Sequence, residues 1–241
     1  MKKLLFLSLA ATMLLGSCSK DSEQIQPKTG QLVLKATGTS DVTMKGTLNV
    51  DNYSVTITKN GESTPAYTGI VSGSTNPIDL AVGTYTVSVS SPDIAMPAFN
   101  APLYGATQSA AIEAAKKTDI SLVCKQTNAG IKVTYAQAML DYCTAKGYDI
   151  ATVIAAGAAS LDYGKKSTTL ITDAGYFNPG TVTVKVTMNG NLYTKDVTLA
   201  AQELVTVNIN VNQLPSPKLQ MTITADNGTT TSSETFTFNE I

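Results

Sequence analysis

The sequence predicts an all-β protein made of two tandem β-sandwich domains, and three observations carry that prediction. Apolar residues recur at every second position through most of the chain. Asn-Gly pairs at 60–61, 189–190 and 227–228 punctuate the runs, and several short motifs return about 95 residues later. Strict alternation marks strands with one buried face, and Asn-Gly supplies the positive φ angles that tight hairpins need.

In chain order, Lys2 and Lys3 precede an apolar run over residues 4–15. A bilayer-spanning helix needs about 20 apolar residues, so a run this short behind a basic end reads as a secretory signal peptide. Leu15-Gly16-Ser17-Cys18 resembles a bacterial lipobox, in which the cysteine thiol takes a diacylglyceryl group before cleavage. Residues 1–17 are thus expected to be a lipoprotein signal peptide, and 18–28 a lipidated start and polar tether. Several acyl chains on Cys18 would give stable membrane attachment. The following Ser19-Lys20-Asp21-Ser22-Glu23 resembles the short acidic signal that sends Bacteroidetes lipoproteins to the outer face of the outer membrane.

The strands follow. Tyr53, Val55 and Ile57 face one way, as do Tyr85, Val87 and Val89, and Ile120, Leu122 and Cys124. Later runs repeat the habit with Val182, Val184 and Val186, then Val205, Val207, Ile209 and Val211, then Leu219, Met221 and Ile223, and last Phe236 and Phe238. The opposite faces are mainly Thr, Ser and Asn. Threonine alone numbers 35, a residue whose branched side chain fits the pleat while its hydroxyl stays wet. Two stretches, 109–117 and 136–146, carry helical signal, the second more amphipathic.

The two halves read as variants of one unit. Tyr53-Ser54-Val55 parallels Tyr148-Asp149-Ile150, and Ala66-Tyr67-Thr68-Gly69 parallels Leu161-Asp162-Tyr163-Gly164. Gly83-Thr84-Tyr85 opens a strand as Gly180-Thr181-Val182 does, and Ala114-Ala115 matches Ala200-Ala201. All-β units of this size with frequent turns read as sandwiches, expected at 29–126 and 127–241.

Composition removes several function classes. The chain has 17 Lys, no Arg, no His and no Trp against 18 acidic residues; loss of residues 1–17 would take the formal charge from −1 to −3. Nucleic-acid binding needs clustered cations, so no such partner is expected. Without histidine the usual proton-transfer group and every Ser-His-Asp or Cys-His arrangement are missing. Asp141 and Asp149 are the best carboxylate pair, and a solvated surface is their simpler reading. No metal-ligand spacing and no phosphate loop is present, and Asp226-Asn227-Gly228 reads as a hairpin turn. No catalytic residue, cofactor or metal is expected, and no enzymatic activity.

Three stretches, VCKQTNAGIKVTY (123–135), AGYFNPGTVTVKV (174–186) and YTKDVTLAAQELVTVNINV (193–211), together with the lipobox, resemble a Bacteroidetes lipoprotein family of unknown function related to fimbrillin-like surface proteins. The resemblance spans residues 30–241 and carries a strand framework with no chemistry. It implies two transthyretin-like sandwiches and a cell-surface adhesion or fimbrial accessory role. Fimbrial stalk subunits mature by cleavage after an arginine; a chain without arginine points instead to an anchor, a tip or a stand-alone adhesin.

Few residues remain as candidate sites. Cys124 and Cys143 either pair outside the cytoplasm or stay as buried thiols. Tyr176 and Phe177, with Tyr104 behind them, either stack on a glycan or plug a core. Lys59, Lys185 and Lys195 lie where they could guard sheet edges. The expected protein is a non-enzymatic surface lipoprotein, anchored in the outer membrane through Cys18, with other fimbrial or surface subunits as partners. The alternative is a glycan-binding lipoprotein of a polysaccharide-uptake complex.

Overall fold

The computed structural model describes residues 28–39, 47–73, 76–212, 218–226 and 230–240. Cys18, the signal segment, all of the tether but Lys28, and Asn227-Gly228 lie outside the described residues.

The first sandwich comprises β1 (Thr29–Thr39), β2 (Thr47–Leu48), β3 (Ser54–Lys59), β4 (Tyr67–Ile70), β5 (Ile78–Ala81), β6 (Gly83–Ser90), β8 (Tyr104–Ile112) and β9 (Lys117–Gln126), with β7 (Ala98–Phe99) leaving it between β6 and β8. One sheet runs β4-β3-β6-β8. In the other, β1 pairs β9 in parallel on one side and β5 and β2 on the opposite side. The sheets join at one corner, where Tyr104 and Gly105 pair Gln126 and Lys125. Every inward residue expected in β3, β6 and β9 is buried, because one pleat face turns onto the opposing sheet.

The second sandwich holds β10 (Ala129–Tyr135), α1 (Gln137–Lys146), β11 (Ile150–Ala156), β12 (Ala159–Lys165), β13 (Thr169–Leu170), β14 (Gly175–Phe177), β15 (Gly180–Met188), β16 (Asn191–Leu199), β17 (Leu204–Asn212), β18 (Lys218–Asp226) and β19 (Thr231–Glu240). Its sheets run β13-β12-β11-β15-β16 and β19-β18-β17-β10-β14-β7. Asn189 and Gly190, at φ 48° and 75°, turn the chain from β15 into β16 as the Asn-Gly signal requires.

The internal repeat is visible as topology. The order β4-β3-β6-β8 recurs as β12-β11-β15-β16, and the parallel pair β1/β9 recurs as β10/β17. The cross-strand pairs refine the alignment. Val55 pairs Val89, and Thr152 pairs Val186. With Val89 and Val186 equivalent, Val55 matches Thr152 and Tyr53 matches Ile150, two residues beyond the match read from the motifs. A slip of two keeps every side chain on its face, so the expected core survives.

Helix α1 lies within the predicted 136–146 stretch. The other helical expectation, 109–117, is corrected: residues 109–112 belong to β8, where Ala110 and Ile112 are buried against the sandwich core, and the chain then turns into β9. Tertiary burial of alternate residues outweighs the helix propensity of an alanine-rich run.

The segment 91–103 carries the chain from β6 to β8 by way of the other sandwich. Its Ala98 and Phe99 pair Tyr176 and Gly175 as β7, and the Phe99 ring packs edge-on to Tyr163 with centroids 5.0 Å apart. Asn128, only 1% exposed at the junction, fixes this segment. Its amide donates to the Ala101 carbonyl at 3.0 Å, and its side-chain oxygen accepts from the Leu103 N–H at 3.0 Å.

Candidate functional site

The predicted site residues are scattered, and most serve the core. Cys124 and Cys143 are free and buried in different hydrophobic cores, so the disulfide weighed from the sequence is not formed. Burial pushes both thiols up from their ordinary pKa. The Cys143 sulfur sits 3.6 Å from the Met188 sulfur and 3.8 Å from that of Met139.

Tyr176 and Phe177 form β14 between β10 and β7, with 4% and 1% of their surface exposed. The stacking platform is therefore corrected. AGYFNPG reads as a loop because of its Gly and Pro, yet its aromatic pair supplies a short strand. Tyr104 likewise opens β8 and is buried. Asp141 accepts a hydrogen bond from Gln137, and Asp149 accepts from Ser167 and from the Ile150 N–H, so each carboxylate is engaged locally. Among the described residues no group of three or more Cys, Asp or Glu side chains is placed to hold a metal ion.

Two places among the described residues bear most on partners. The first is a cleft of 410 Å³ between segment 91–103 and the β10–β14 sheet, lined by Asn100, Pro102, Lys132, Thr172, Asp173 and Tyr176 among others. Asn100 stands in the left-handed region at φ 53° and is held there from both sides. Its N–H donates to the Ala174 carbonyl at 2.9 Å, and its side-chain amide donates to the Asp173 carboxylate at 3.2 Å. Tyr176, though only 4% exposed, contributes to the cleft lining, while its neighbour Phe177 lies in the core. Sequence patterning had singled out Tyr176 alone; nothing in AFNAP, GIKV or ITDAG marks Asn100, Lys132 or Asp173 as neighbours.

The second is the side where the sheets of the second sandwich part. A groove of 460 Å³ separates the edge strand β16 from β18 and the edge strand β19. The Lys195 ammonium lies 3.6 Å above the centre of the Phe236 ring at this opening, a cation–π contact. Leu192, at the start of β16, is 60% exposed. Of the three lysines expected at edges, Lys195 alone stands on an edge strand; Lys185 is on the interior β15, and Lys59 closes β3 between β4 and β6.

These features define a class: an all-β double sandwich that offers, among the described residues, long sheet edges and a polar cleft at the junction of its two units. The chain belongs to the family described as domain of unknown function DUF4493, which it matches over residues 28–240. No curated protein matches it in sequence. Among solved structures, it is similar to a candidate polysaccharide-binding protein (DUF1812) from Bacteroides thetaiotaomicron, with 8% identity, 88% of this chain and 99% of that one covered, and a TM-score of 0.50. The fimbrial anchor protein Mfa2 from Porphyromonas gingivalis matches at 9% identity over 80% of this chain and 97% of its own, with a TM-score of 0.46. A candidate cell adhesion protein from Bacteroides uniformis matches at 12% identity over 86% and 97%, with a TM-score of 0.43. At such identities the likeness concerns the fold.

Proposed function

We propose that this protein is a non-enzymatic cell-surface lipoprotein, an adhesin or a fimbrial anchor or tip accessory subunit, that works through protein–protein contacts. The observation that carries this reading is the pair of long edge strands. Both β16 and β19 pair on one side only among the described residues, and Leu192 is exposed on the first. An unpaired strand edge is a template for another chain, and such edges are usually short or blocked. Leaving two of nine and ten residues fits a protein that takes partners. Cys18 would be the lipid anchor and outer membrane attachment point, with residues 18–28 as the spacer. The sandwiches would span 29–126 and 127–241.

The test is affinity capture of the tagged protein from intact, gently cross-linked cells, with mass spectrometry of what is retained. Fimbrial subunits in the eluate are expected, and their loss with Leu192→Lys would locate the contact. A transporter with polysaccharide-handling lipoproteins in their place would overturn the reading. Metabolic labelling with a fatty-acid probe, absent in Cys18→Ser, checks the anchor.

The 410 Å³ cleft favours a second reading, a glycan-binding surface lipoprotein. Its lining offers an amide, a carboxylate, a hydroxyl and an ammonium within one concavity, the groups that share hydrogen bonds with sugar hydroxyls.

A further inference from the structure

The cleft holds an imbalance that selects among saccharides. Lys132, half-buried on β10, contributes to its lining, and its ammonium has no hydrogen-bond or ion-pair partner among the described residues. Asp173 lines the same cleft but is not its counterion: the two make no salt bridge, and the Asp173 carboxylate accepts the Asn100 amide. Asn100 is fixed in turn by its left-handed backbone and its bond to Ala174. Acceptor and amide are thus preorganised on one wall, while a cation without a partner stands on another.

We propose that the cleft binds a saccharide unit bearing a carboxylate, with Lys132 pairing the carboxylate and Asp173, Asn100 and Thr172 sharing hydrogen bonds with ring hydroxyls. This rests on the glycan-binding reading and names its ligand class. A neutral sugar would leave the Lys132 ammonium without a counter-charge as water is displaced, which is costly. A small inorganic anion would satisfy Lys132 alone and would meet the Asp173 charge. An apolar ligand would strand the polar lining. A carboxylated sugar supplies an anion and hydroxyls together, and charge-assisted hydrogen bonds are the stronger kind. The volume lies within the range usual for small-molecule sites, and junctions between folded units are a preferred place for them.

The experiment is titration calorimetry on the full chain with four probes: methyl glucuronide, sialyllactose, methyl glucoside and lactose. At least one acidic probe is expected to bind ten-fold or more tightly than its neutral counterpart, with affinity falling as salt is added. Which acid binds distinguishes a uronic from a sialic ligand. Lys132→Met is expected to remove the preference at unchanged melting temperature, and Thr172→Ala to weaken the acidic probe. Equal binding of acidic and neutral probes, or a preference that survives Lys132→Met, overturns the proposal and leaves glycan binding standing. Acetate competing as tightly as the acidic sugar also overturns it. Absence of binding by all four probes overturns proposal and glycan reading together.

Discussion

Thr152 buries a hydroxyl that has no hydrogen-bond partner, at a core position where the first sandwich carries Val55. The Tyr135 hydroxyl lies beside it without a well-formed hydrogen bond between the two; burial pushes the Tyr135 pKa up to about 12, the Thr152 hydroxyl opposing the rise and the Asp162 charge adding to it. An unpaired buried hydroxyl costs about 1 kcal/mol or more. Replacing both hydroxyls, Thr152→Val with Tyr135→Phe, should therefore raise stability by about that amount, read as a higher urea midpoint at unchanged slope, whereas Thr152→Val alone strands the Tyr135 hydroxyl and should not. Asp149 makes the opposite case. Hydrogen bonding from Ser167 holds its carboxyl below the usual carboxylate range. Its contribution is then present above the unfolded pKa of about 3.9 and is lost as pH falls through the lower folded value. Asp149→Asn should flatten that part of the acid limb between pH 5 and 2 in a series of urea melts. Alternation showed that residue 152 faces inward, because period two reports the face. It says nothing of whether an inward hydroxyl finds a partner, which depends on strands far apart in sequence.

Tyr163 ties strand β14 to the opposing sheet. Tyr163, on β12 in one sheet, donates its hydroxyl to the Ile131 carbonyl at 2.7 Å and accepts the Gly175 N–H at 3.1 Å, both in the opposing sheet. A Cβ at 175 would lie 2.5 Å from the tyrosine oxygen and from the Leu161 side chain, so glycine there lets the tyrosine approach the backbone. Tyr163→Phe keeps the ring and its contact with Phe99 but leaves two buried backbone groups less satisfied. A loss of about 1–2 kcal/mol is expected in denaturant unfolding. Long elements such as β15–β17 were legible because nine alternating residues outvote local exceptions. Strand β14 has three residues and β7 two, too few to show a period, and their pairing is set by the partner they meet. The same shortness hid the cleft: Asn100 and Asp173 are 73 positions apart and become neighbours only because β7 docks on β14.

For the molecule as a whole, segment 91–103 binds the two sandwiches to one another, and Asn128 is its fastening. Asn128→Ala would strip hydrogen bonds from the buried Ala101 carbonyl and Leu103 N–H. Roughly 2–4 kcal/mol should be lost, and the heat-capacity trace should change from one unfolding transition to two as the sandwiches uncouple. A retained single transition would show that 91–103 does not couple them. The repeat itself was legible from motif spacing; this fastening was not, since no local pattern tells a loop to visit the neighbouring unit. The parallel pairs β1/β9 and β10/β17 bear on how such a molecule withstands being pulled. Each sandwich places its first long strand beside a strand near its end, pointing the same way. Tension applied across the first unit would slide β1 and β9 lengthwise, so that a whole ladder, eight registered pairs, must yield at once instead of opening pair by pair; in the second unit β18 and β19 follow β17 and would peel first. A tether fixed at one end to a cell and at the other to a moving partner would break elsewhere first.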